Sequence, residues 1–311
     1  MHQKHIGDFV LDFDLALAFN ETEYLTPQIY LMVSSLKNKL PNGTVLHIVT
    51  NRHKDNELLQ WIQKQVPTKI YFNDGSKTNH LQSRCRYMLN TFQIESDKDW
   101  IMKIECDLIF LKHLSEYEKL FKDGLDVIIE SENRKIFDDI IAERLWRQMY
   151  RNMGYEKPDV RIVFRENDKD GLALFGTGLF FIKNELLNII NEKWIDLTEK
   201  CEPWGAYGVH PNEQALTALI LNEGWLWEIY PDIYKYNIIG HFRKNPFPDT
   251  TLVEPAILPE DVVCLDYHKF NWLSHIAQYN PQVREIVEMN EEHIPKEVWG
   301  ENYEKYAIGR F

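Results

Sequence analysis

The sequence predicts an α/β protein with a mostly parallel central sheet flanked by helices, and three observations support this prediction. Short apolar segments alternate with amphipathic segments through the first half of the 311-residue chain, as in β-α-β units. The chain is 44% hydrophobic and 13% aromatic, enough to bury a large core without disulfides. No repeat, low-complexity segment or linker divides it, so we expect a single domain over residues 1–311.

Hydrophobic periodicity and turn residues give the predicted elements in chain order. The predicted strands lie at 15–19, 45–50, 69–72, 100–105, 108–111, 126–130, 172–183, 225–230 and 261–265. The predicted helices lie at 26–40, 55–65, 81–91, 135–152 and 212–222. Pro27 in the first turn of the first helix and Pro41 after its end are typical of helix boundaries.

The net charge and the absence of long apolar segments limit the classes of partner. The chain has 35 Lys and Arg residues against 48 Asp and Glu residues, a formal charge of −13. Nucleic-acid binding depends on cationic contacts with phosphate, so we expect no nucleic-acid partner. No segment approaches the roughly 20 apolar residues of a membrane helix. We expect no membrane span and a cytoplasmic location, with an anchor on a longer natural chain as the alternative; the oligomeric state stays open.

An acidic triplet, Glu105-Cys106-Asp107, lies at the end of the strand predicted at 100–105. The carboxyl ends of strands are where open α/β sheets bind ligands. Two carboxylates on one side of such an edge repel each other unless a divalent cation, with or without a diphosphate, lies between them. Oxygen ligands favour Mg²⁺ or Mn²⁺. Taken alone, however, an acidic triplet is more often a solvated turn.

The order of the surrounding segments resembles the retaining glycosyltransferases of family 8, which include glycogenin and bacterial lipopolysaccharide galactosyltransferases. The similar segments are 18–24 (first strand and nucleotide-binding turn), 83–89 (basic helix), 101–111 (the strand with Asp-x-Asp), 174–182 (the Phe-Asn-Ser-Gly strand), 210–216 (the Asp-Gln motif) and 262–272 (the closing His-Lys-Trp element). The likeness spans roughly 14–273. In this chain Glu105 replaces the first Asp, Gly176 the Asn, and Glu213 the Asp of Asp-Gln.

The resemblance implies a GT-A-like, Rossmann-type fold with a smaller acceptor-side subdomain. It implies a nucleotide-binding half at about 10–130, a donor and acceptor half at about 131–273, and a C-terminal tail at 274–311. It also implies metal-dependent transfer of a sugar from a nucleotide-sugar donor, favoured to be a UDP-sugar, to a glycan or other hydroxyl acceptor. Mn²⁺ or Mg²⁺ would be the cofactor, and the anomeric configuration would be retained. The alternatives are a catalytically inactive nucleotide-sugar-binding relative and a sugar nucleotidyltransferase, although the N-terminus lacks the phosphate loop of the latter.

The resemblance also implies site residues. The metal ligands would be Glu105, Asp107 and His268, with His241 as the alternative histidine. Nucleotide and donor contacts would come from Phe19, Asn20, Tyr24, Arg84, Glu105, Cys106, Asp107, Gly176, Thr177, Gly178 and Lys269. Gln214 or Glu213 would face the anomeric carbon, by covalent double displacement or by same-face substitution.

Acceptor contacts are predicted from the aromatic residues late in the chain. Trp204 and Tyr207 lie on a glycine-flexible loop just before Glu213. Aromatic faces suit the C–H surfaces of sugars, so we expect these two side chains to contact the acceptor.

Overall fold

The computed structural model describes residues 12–20, 25–53, 55–81, 86–131, 139–163, 170–203, 210–242 and 251–295. Its strands are β1 (Phe13–Phe19), β2 (Leu46–Thr50), β3 (Thr68–Phe72), β4 (Trp100–Lys103), β5 (Leu108–Phe110), β6 (Val127–Ile129), β7 (Arg161–Val163), β8 (Asp170–Leu172), β9 (Phe180–Lys183), β10 (Trp227–Ile229), β11 (Tyr236–Asn237) and β12 (Cys264–Asp266). Its α-helices are α1 (Leu25–Leu36), α2 (Glu57–Gln65), α3 (Asp139–Met153), α4 (Leu187–Cys201), α5 (Pro211–Asn222), α6 (Ile238–Phe242), α7 (Phe270–Tyr279) and α8 (Pro281–Glu288).

Seven strands form the main sheet, in the order β10-β6-β9-β4-β1-β2-β3. β9 runs antiparallel to its two neighbours, β4 and β6, and the other pairs in this sheet are parallel. Helices flank the sheet, so the predicted mostly parallel α/β fold is confirmed.

Strand β1 lies inside the main sheet, between β4 and β2, and all seven of its residues are buried. Phe13 and Leu15 share a core layer with Ile29 of α1, whereas Ala16 belongs to the layer that contains Ile190 of α4. Burial of alternate residues in two different layers is expected for a parallel strand covered on both faces. The continuous apolar pattern of this segment follows from that position.

Helices α1 and α2 pack in the same core layer, and local contacts and backbone conformation explain where α2 begins and where α1 ends. Asn56 caps α2 by accepting a hydrogen bond from the Leu58 peptide N–H at 3.0 Å, a contact that stabilises a helix by about 1 kcal/mol. α1 was predicted to extend to residue 40 but ends at Leu36. Asn38 has a φ of 61°, a left-handed conformation that a right-handed helix does not contain.

Strands β5, β12 and β11 form a second, three-stranded sheet. β12 is antiparallel to β5, which places Asp266 opposite Leu108, and parallel to β11, which places Asp266 opposite Asn237. β5 begins directly after the acidic triplet. The pairing therefore returns Asp266 and the residues after it to the carboxyl end of β4.

Helices α7 and α8 pack on this second sheet. Leu273 of α7 and Val283 of α8 are buried in one cluster with Ile109 of β5 and Leu265 of β12. α7 spans 270–279 and so crosses the boundary predicted at residue 273.

Two other predictions of secondary structure were wrong in extent, and one helix was missed. Among the described residues, the helix predicted at 81–91 is only a 3-10 segment at Arg86–Asn90. The strand predicted at 172–183 is interrupted at Gly176 and Gly178, so that β8 ends at Leu172 and β9 begins at Phe180. α4 was not predicted, although its buried residues recur at helical spacing: Leu187, Ile190, Trp194, Leu197 and Cys201.

None of the helices in the described part of the chain combines the length and the apolar character that crossing a membrane requires.

Candidate functional site

The acidic triplet lies where the sequence predicts it, beyond the end of β4. The peptide N–H of Ile104 still pairs with the carbonyl of Ala16 at 2.9 Å, so the chain leaves the sheet at Glu105. The side chains of Glu105 and Asp107 are partly exposed, whereas Cys106 is buried. Both carboxylates therefore lie at the carboxyl edge of the sheet, where open α/β folds bind ligands.

Glu105 is held by the last residue of β4. The Lys103 ammonium lies 2.9 Å from Oε1 of Glu105 and also donates a hydrogen bond to the carbonyl oxygen of Thr177. Burial acts to raise the pKa of Glu105, but the positive charges of Lys103 and Lys235 outweigh it and hold the pKa below its ordinary value. Glu105 is therefore ionised at neutral pH.

Asp107 belongs to a group of side chains that could hold a metal ion. One oxygen of Asp107, one oxygen of Asp266 and one ring nitrogen of His268 lie within 4.8 Å of one another. His268 Nδ1 is 3.6 Å from Asp107 Oδ2, and His268 Nε2 is 3.3 Å from Asp266 Oδ1. Ligands about 2.1 Å from an octahedral Mg²⁺ lie about 3 Å apart when adjacent and about 4 Å apart when opposite. The group has the dimensions of such a site.

His268 is held by its backbone and by Asn237. It has a φ of 52°, an uncommon conformation for a residue with a side chain. Asn237 Oδ1 accepts hydrogen bonds from the peptide N–H groups of Ile239 at 2.8 Å and Gly240 at 3.3 Å, which fixes the orientation of its amide. Its amino nitrogen therefore faces His268 Nε2 at 2.8 Å and Asp266 Oδ2 at 3.3 Å.

A buried ion cluster lies behind Asp266. The Lys235 ammonium is 2.7 Å from Asp266 Oδ2 and lies 2.9 Å and 3.1 Å from the two carboxylate oxygens of Glu130. All three side chains are buried. Burial acts to lower the pKa of Lys235, but the negative charges of Asp266 and Glu130 outweigh it and raise the pKa well above its ordinary value. Lys235 is therefore a permanent cation at this position.

The whole cluster contains more acid than base. Four carboxylates (Glu105, Asp107, Glu130 and Asp266) face two lysines (Lys103 and Lys235), an excess of two negative charges when Asp107 is ionised and His268 is neutral. Asp107 is the carboxylate that this excess affects most. Burial, followed by the negative charges of Asp266 and Glu105, raises its pKa to about 7. A divalent cation beside Asp107 would remove this excess.

The turn that contains Gly176, Thr177 and Gly178 packs against the same cluster. A Cβ atom added to Gly176 would lie 2.6 Å from Cγ of Glu130, and one added to Gly178 would lie 2.4 Å from Nζ of Lys235. The Gly178 peptide N–H also donates to Glu130 Oε1 at 3.1 Å. Close approach to the Glu130–Lys235 pair therefore explains both glycines, and their contact with a donor stays a prediction.

The first turn of α5, which contains Glu213 and Gln214, contacts the Gly176–Gly178 turn through Asn212. Asn212 Nδ2 donates to Thr177 Oγ1 at 3.0 Å, which ties the turn to the helix. Gln214 is fully buried, and neither atom of its amide group has a hydrogen-bond partner among the described residues. Buried amides are rarely left in this state. Glu213 is half-buried.

The remaining predicted residues fall in different places. His241 stacks on Tyr236 with ring centroids 4.0 Å apart, and the ligand group contains His268 rather than His241. Lys269 is exposed, with its ammonium 5.0 Å from the ring centroid of Trp272.

Phe19 and Asn20 lie at the carboxyl end of β1, where Phe19 is buried with the Arg52 guanidinium 5.7 Å from the centroid of its ring. The predictions for Tyr24, Arg84, Trp204 and Tyr207 lie outside the described residues.

Sequence reasoning missed Asp266, Lys235 and Glu130 as parts of the site. A signal was present for Asp266, because it ends the apolar run 262–265, where a charged side chain in a buried strand requires a partner. Glu130 gave the same signal at the end of the apolar run 127–129. Lys235 gave none, since it lies 105 positions from Glu130 and meets it only through the fold.

No protein-family model matches the chain, and no curated protein matches it. The solved structures that are similar to it include the following three. Mouse xyloside xylosyltransferase 1 in its apo form has 14% identity and a TM-score of 0.50, covering 83% of this chain and 98% of that one. An active-site variant of LgtC, in which a glutamine is replaced by glutamate, has 12% identity and a TM-score of 0.57, covering 91% and 98%. The galactosyltransferase LgtC with donor and acceptor sugar analogues has 11% identity and a TM-score of 0.52, covering 95% and 94%.

At 11–14% identity these similarities establish the fold and leave the activity to be argued from the site. The chain has the GT-A fold of these glycosyltransferases, which confirms the fold expected from the sequence.

Proposed function

We propose that this protein is a glycosyltransferase that moves a sugar from a nucleoside diphosphate sugar, with UDP as the favoured nucleotide, to a hydroxyl group of a glycan or other acceptor. The observation that carries the proposal is the acid-rich cluster around Asp107 at the carboxyl end of β4. A GT-A fold and a group suited to a divalent cation occur together here.

The residues fit Mn²⁺ or Mg²⁺. Two carboxylates and an imidazole are ligands that both ions accept, and the excess of two negative charges matches a single divalent cation. We assign the ligands to Asp107, Asp266 and His268, which would exchange the contact between Nε2 and the Asn237 amide for the ion. Glu105 also remains a predicted ligand, but its contact with Lys103 favours a place beside the ion, toward the ribose or a water molecule.

The charge of the site suits the departure of a diphosphate. Sugar transfer breaks the bond between the anomeric carbon and the diphosphate, and negative charge accumulates on the leaving group. A bound divalent cation supplies the positive charge that stabilises this group. Lys269, with Arg84 as predicted from the sequence, would add cationic contacts to the phosphate oxygens.

Gln214 is the residue that we propose to contact the donor sugar. Its buried amide offers a donor and an acceptor that the described residues leave unused, and a sugar hydroxyl or ring oxygen can pair with both. The LgtC variant shows that a glutamine belongs to the active site of that protein. We further propose that the anomeric configuration is retained, with Gln214 or Glu213 facing the anomeric carbon.

Binding of the nucleotide can be tested by thermal shift. UDP, GDP, CMP and ADP would each be added with and without Mn²⁺ to the unsubstituted protein and to Asp107→Asn. A specific ligand at 100 times its Kd stabilises the folded state by about 2.7 kcal/mol. We expect UDP to raise the Tm only with Mn²⁺ and only in the unsubstituted protein. If a nucleotide raises the Tm equally with and without Mn²⁺, and equally in Asp107→Asn, the metal-centred mechanism is excluded.

Transfer is tested by release of UDP from a panel of UDP-sugars, with water and simple glycosides as acceptors. We expect Gln214→Ala to lose most of the activity while it still binds UDP and Mn²⁺, because its amide contacts the sugar and not the ion. The anomeric configuration of the product, read by proton NMR, tests retention. Metal-dependent UDP binding without release from any UDP-sugar would instead indicate an inactive, nucleotide-sugar-binding relative.

A further inference from the structure

Lys235 is a buried cation directly behind a carboxylate that we assign as a metal ligand. Its ammonium is 2.7 Å from Asp266 Oδ2, and the side chain is only 6% exposed. Substrate cannot reach it from solvent in this arrangement. By charge alone, a lysine at this distance would oppose the binding of a second cation to the same carboxylate, because like charges repel.

The contacts of Asp266 indicate why a lysine is nevertheless present. Lys235 and the amino group of Asn237 both lie on the side of Oδ2, at 2.7 Å and 3.3 Å. Oδ1 is the oxygen on the side of His268, 3.3 Å from Nε2. One oxygen thus holds the carboxylate in place, and the other faces His268, a second assigned ligand of the candidate ion.

The position of Lys235 is in turn fixed from behind. Glu130 accepts hydrogen bonds from its ammonium with both carboxylate oxygens, at 2.9 Å and 3.1 Å. Gly178 packs so closely that a Cβ atom there would lie 2.4 Å from Nζ and 2.8 Å from Cε. The end of β6, the turn before β9 and the residue before β11 therefore meet at one ammonium group.

We propose that Lys235 is a positioning residue that, braced by Glu130 and Gly178, orients Asp266 for the metal ion. The inference rests on the proposed function, because it assumes that Asp107, Asp266 and His268 bind a divalent cation. Its prediction for cation affinity is opposite to the one that charge repulsion alone gives. Removal of the lysine makes the site more negative, yet it should weaken cation binding.

The test measures Mn²⁺ affinity without nucleotide, by titration calorimetry and by the EPR signal of free Mn²⁺. Lys235→Met replaces the ammonium with an uncharged side chain of similar length. Gly178→Ala keeps every charge but forces Lys235 from its place. Gly240→Ala is the matched control, since a Cβ there has no neighbour within 4 Å and alanine retains the peptide N–H that Asn237 Oδ1 accepts. Loss of a partner that orients a metal ligand costs roughly 10- to 100-fold in metal affinity. We expect losses of that size for Lys235→Met and Gly178→Ala, and a change below about twofold for Gly240→Ala.

The outcomes separate this inference from the proposal on which it rests. If Lys235→Met binds Mn²⁺ as tightly as the unsubstituted protein or more tightly, Lys235 only balances charge and the inference is wrong. If Lys235→Met does not fold, as judged by circular dichroism, Gly178→Ala decides: an affinity equal to that of Gly240→Ala would overturn the positioning role. If the unsubstituted protein and Asp107→Asn both fail to bind Mn²⁺, the proposed metal site is wrong, and the inference fails with it.

Discussion

Asp14 and Asp107 are acidic residues at opposite ends of the main sheet, and their pKa values are shifted in opposite directions. Asp14 lies near the amino end of β1, where it accepts hydrogen bonds from Val45 N–H at 2.7 Å, Ser96 Oγ at 2.7 Å and His47 Nε2 at 2.8 Å. Burial acts to raise its pKa, but these hydrogen bonds outweigh it and lower the pKa below its ordinary value. Asp107, beyond the carboxyl end of β4, has a pKa raised to about 7.

Burial acts to raise the pKa of both carboxyl groups, so their partners decide the direction of the shift. Asp14 is surrounded by donors that favour its charged form, whereas Asp107 is surrounded by other carboxylates and has a longer contact, 3.6 Å, with His268. The amino end of the sheet is thus closed by a carboxylate with its partners in place. The carboxyl end holds a carboxylate whose neighbours favour an added cation. A carboxylate that stabilises the fold and the candidate metal site thus lie at opposite edges of the main sheet.

The largest expected effect on stability is that of Asp14→Ala. The substitution leaves three donors around a buried position without their acceptor, and breaking such a buried pair costs about 3–5 kcal/mol. Urea unfolding would measure the loss. Asp12→Ala is the matched control, because Asp12 is 47% exposed and pairs with Lys98 at the surface. It should cost less than about 1 kcal/mol.

The same variant should also change the response to acid. The folded pKa of Asp14 lies below its ordinary value of 3.8, so its stabilising contribution is complete above about pH 4 and is lost as the pH falls through the folded pKa. The free energies of unfolding of Asp14→Ala and the unsubstituted protein should therefore converge toward low pH. If the plots of the free energy of unfolding against pH for the two proteins remain parallel down to about pH 2, Asp14 stabilises the fold by packing and not by charge.

Gly176→Ala has the next largest expected effect, and it acts at the opposite end of the sheet. The new Cβ would lie 2.6 Å from Cγ of Glu130, a part of that side chain that cannot move without displacing the pair with Lys235. Overpacking of this kind costs about 1–3 kcal/mol. Gly240→Ala should change the free energy of unfolding by less than about 0.5 kcal/mol. Equal stabilities for the two alanine variants would show that the cluster tolerates displacement.

These two ends of the sheet also differ in how far the sequence predicts them. The strands around Asp14 follow from continuous apolar runs such as 15–19 and 45–50, which the structure confirms with shifts of one or two residues. The acidic triplet was placed correctly at the end of β4 for the same reason. Local pattern was sufficient wherever a residue's surroundings were set by its own strand or helix.

The rest of the site depended on contacts between distant residues. Asp266 and Lys235 reach Asp107 and Glu130 only because the second sheet folds back onto the carboxyl end of β4. Periodicity carries no information on such pairings. Periodicity also predicted a single glycine-broken strand at 172–183. Gly176 and Gly178 pack against Glu130 and Lys235, and the local sequence does not show this contact.

The smallest expected effect on stability, Asp107→Asn, is opposite in sign to that of Asp14→Ala. Between its ordinary value of 3.8 and the folded value of about 7, Asp107 binds more proton in the folded than in the unfolded protein. Stability therefore falls as the pH rises through this window, and the penalty is complete above about pH 7. The asparagine amide of the variant cannot ionise, so with chelator at about pH 8 the variant should be more stable, by an amount on the order of 1 kcal/mol.

Mn²⁺ should reverse that order, because it stabilises only a protein that retains the Asp107 carboxylate. Urea unfolding of both proteins at about pH 5 and about pH 8, with chelator and with Mn²⁺, measures all four conditions. A variant that is less stable than the unsubstituted protein at the higher pH with chelator would place Asp107 in the same class as Asp14, as a carboxylate whose charge stabilises the fold. The contrast between the two ends of the sheet would then be lost.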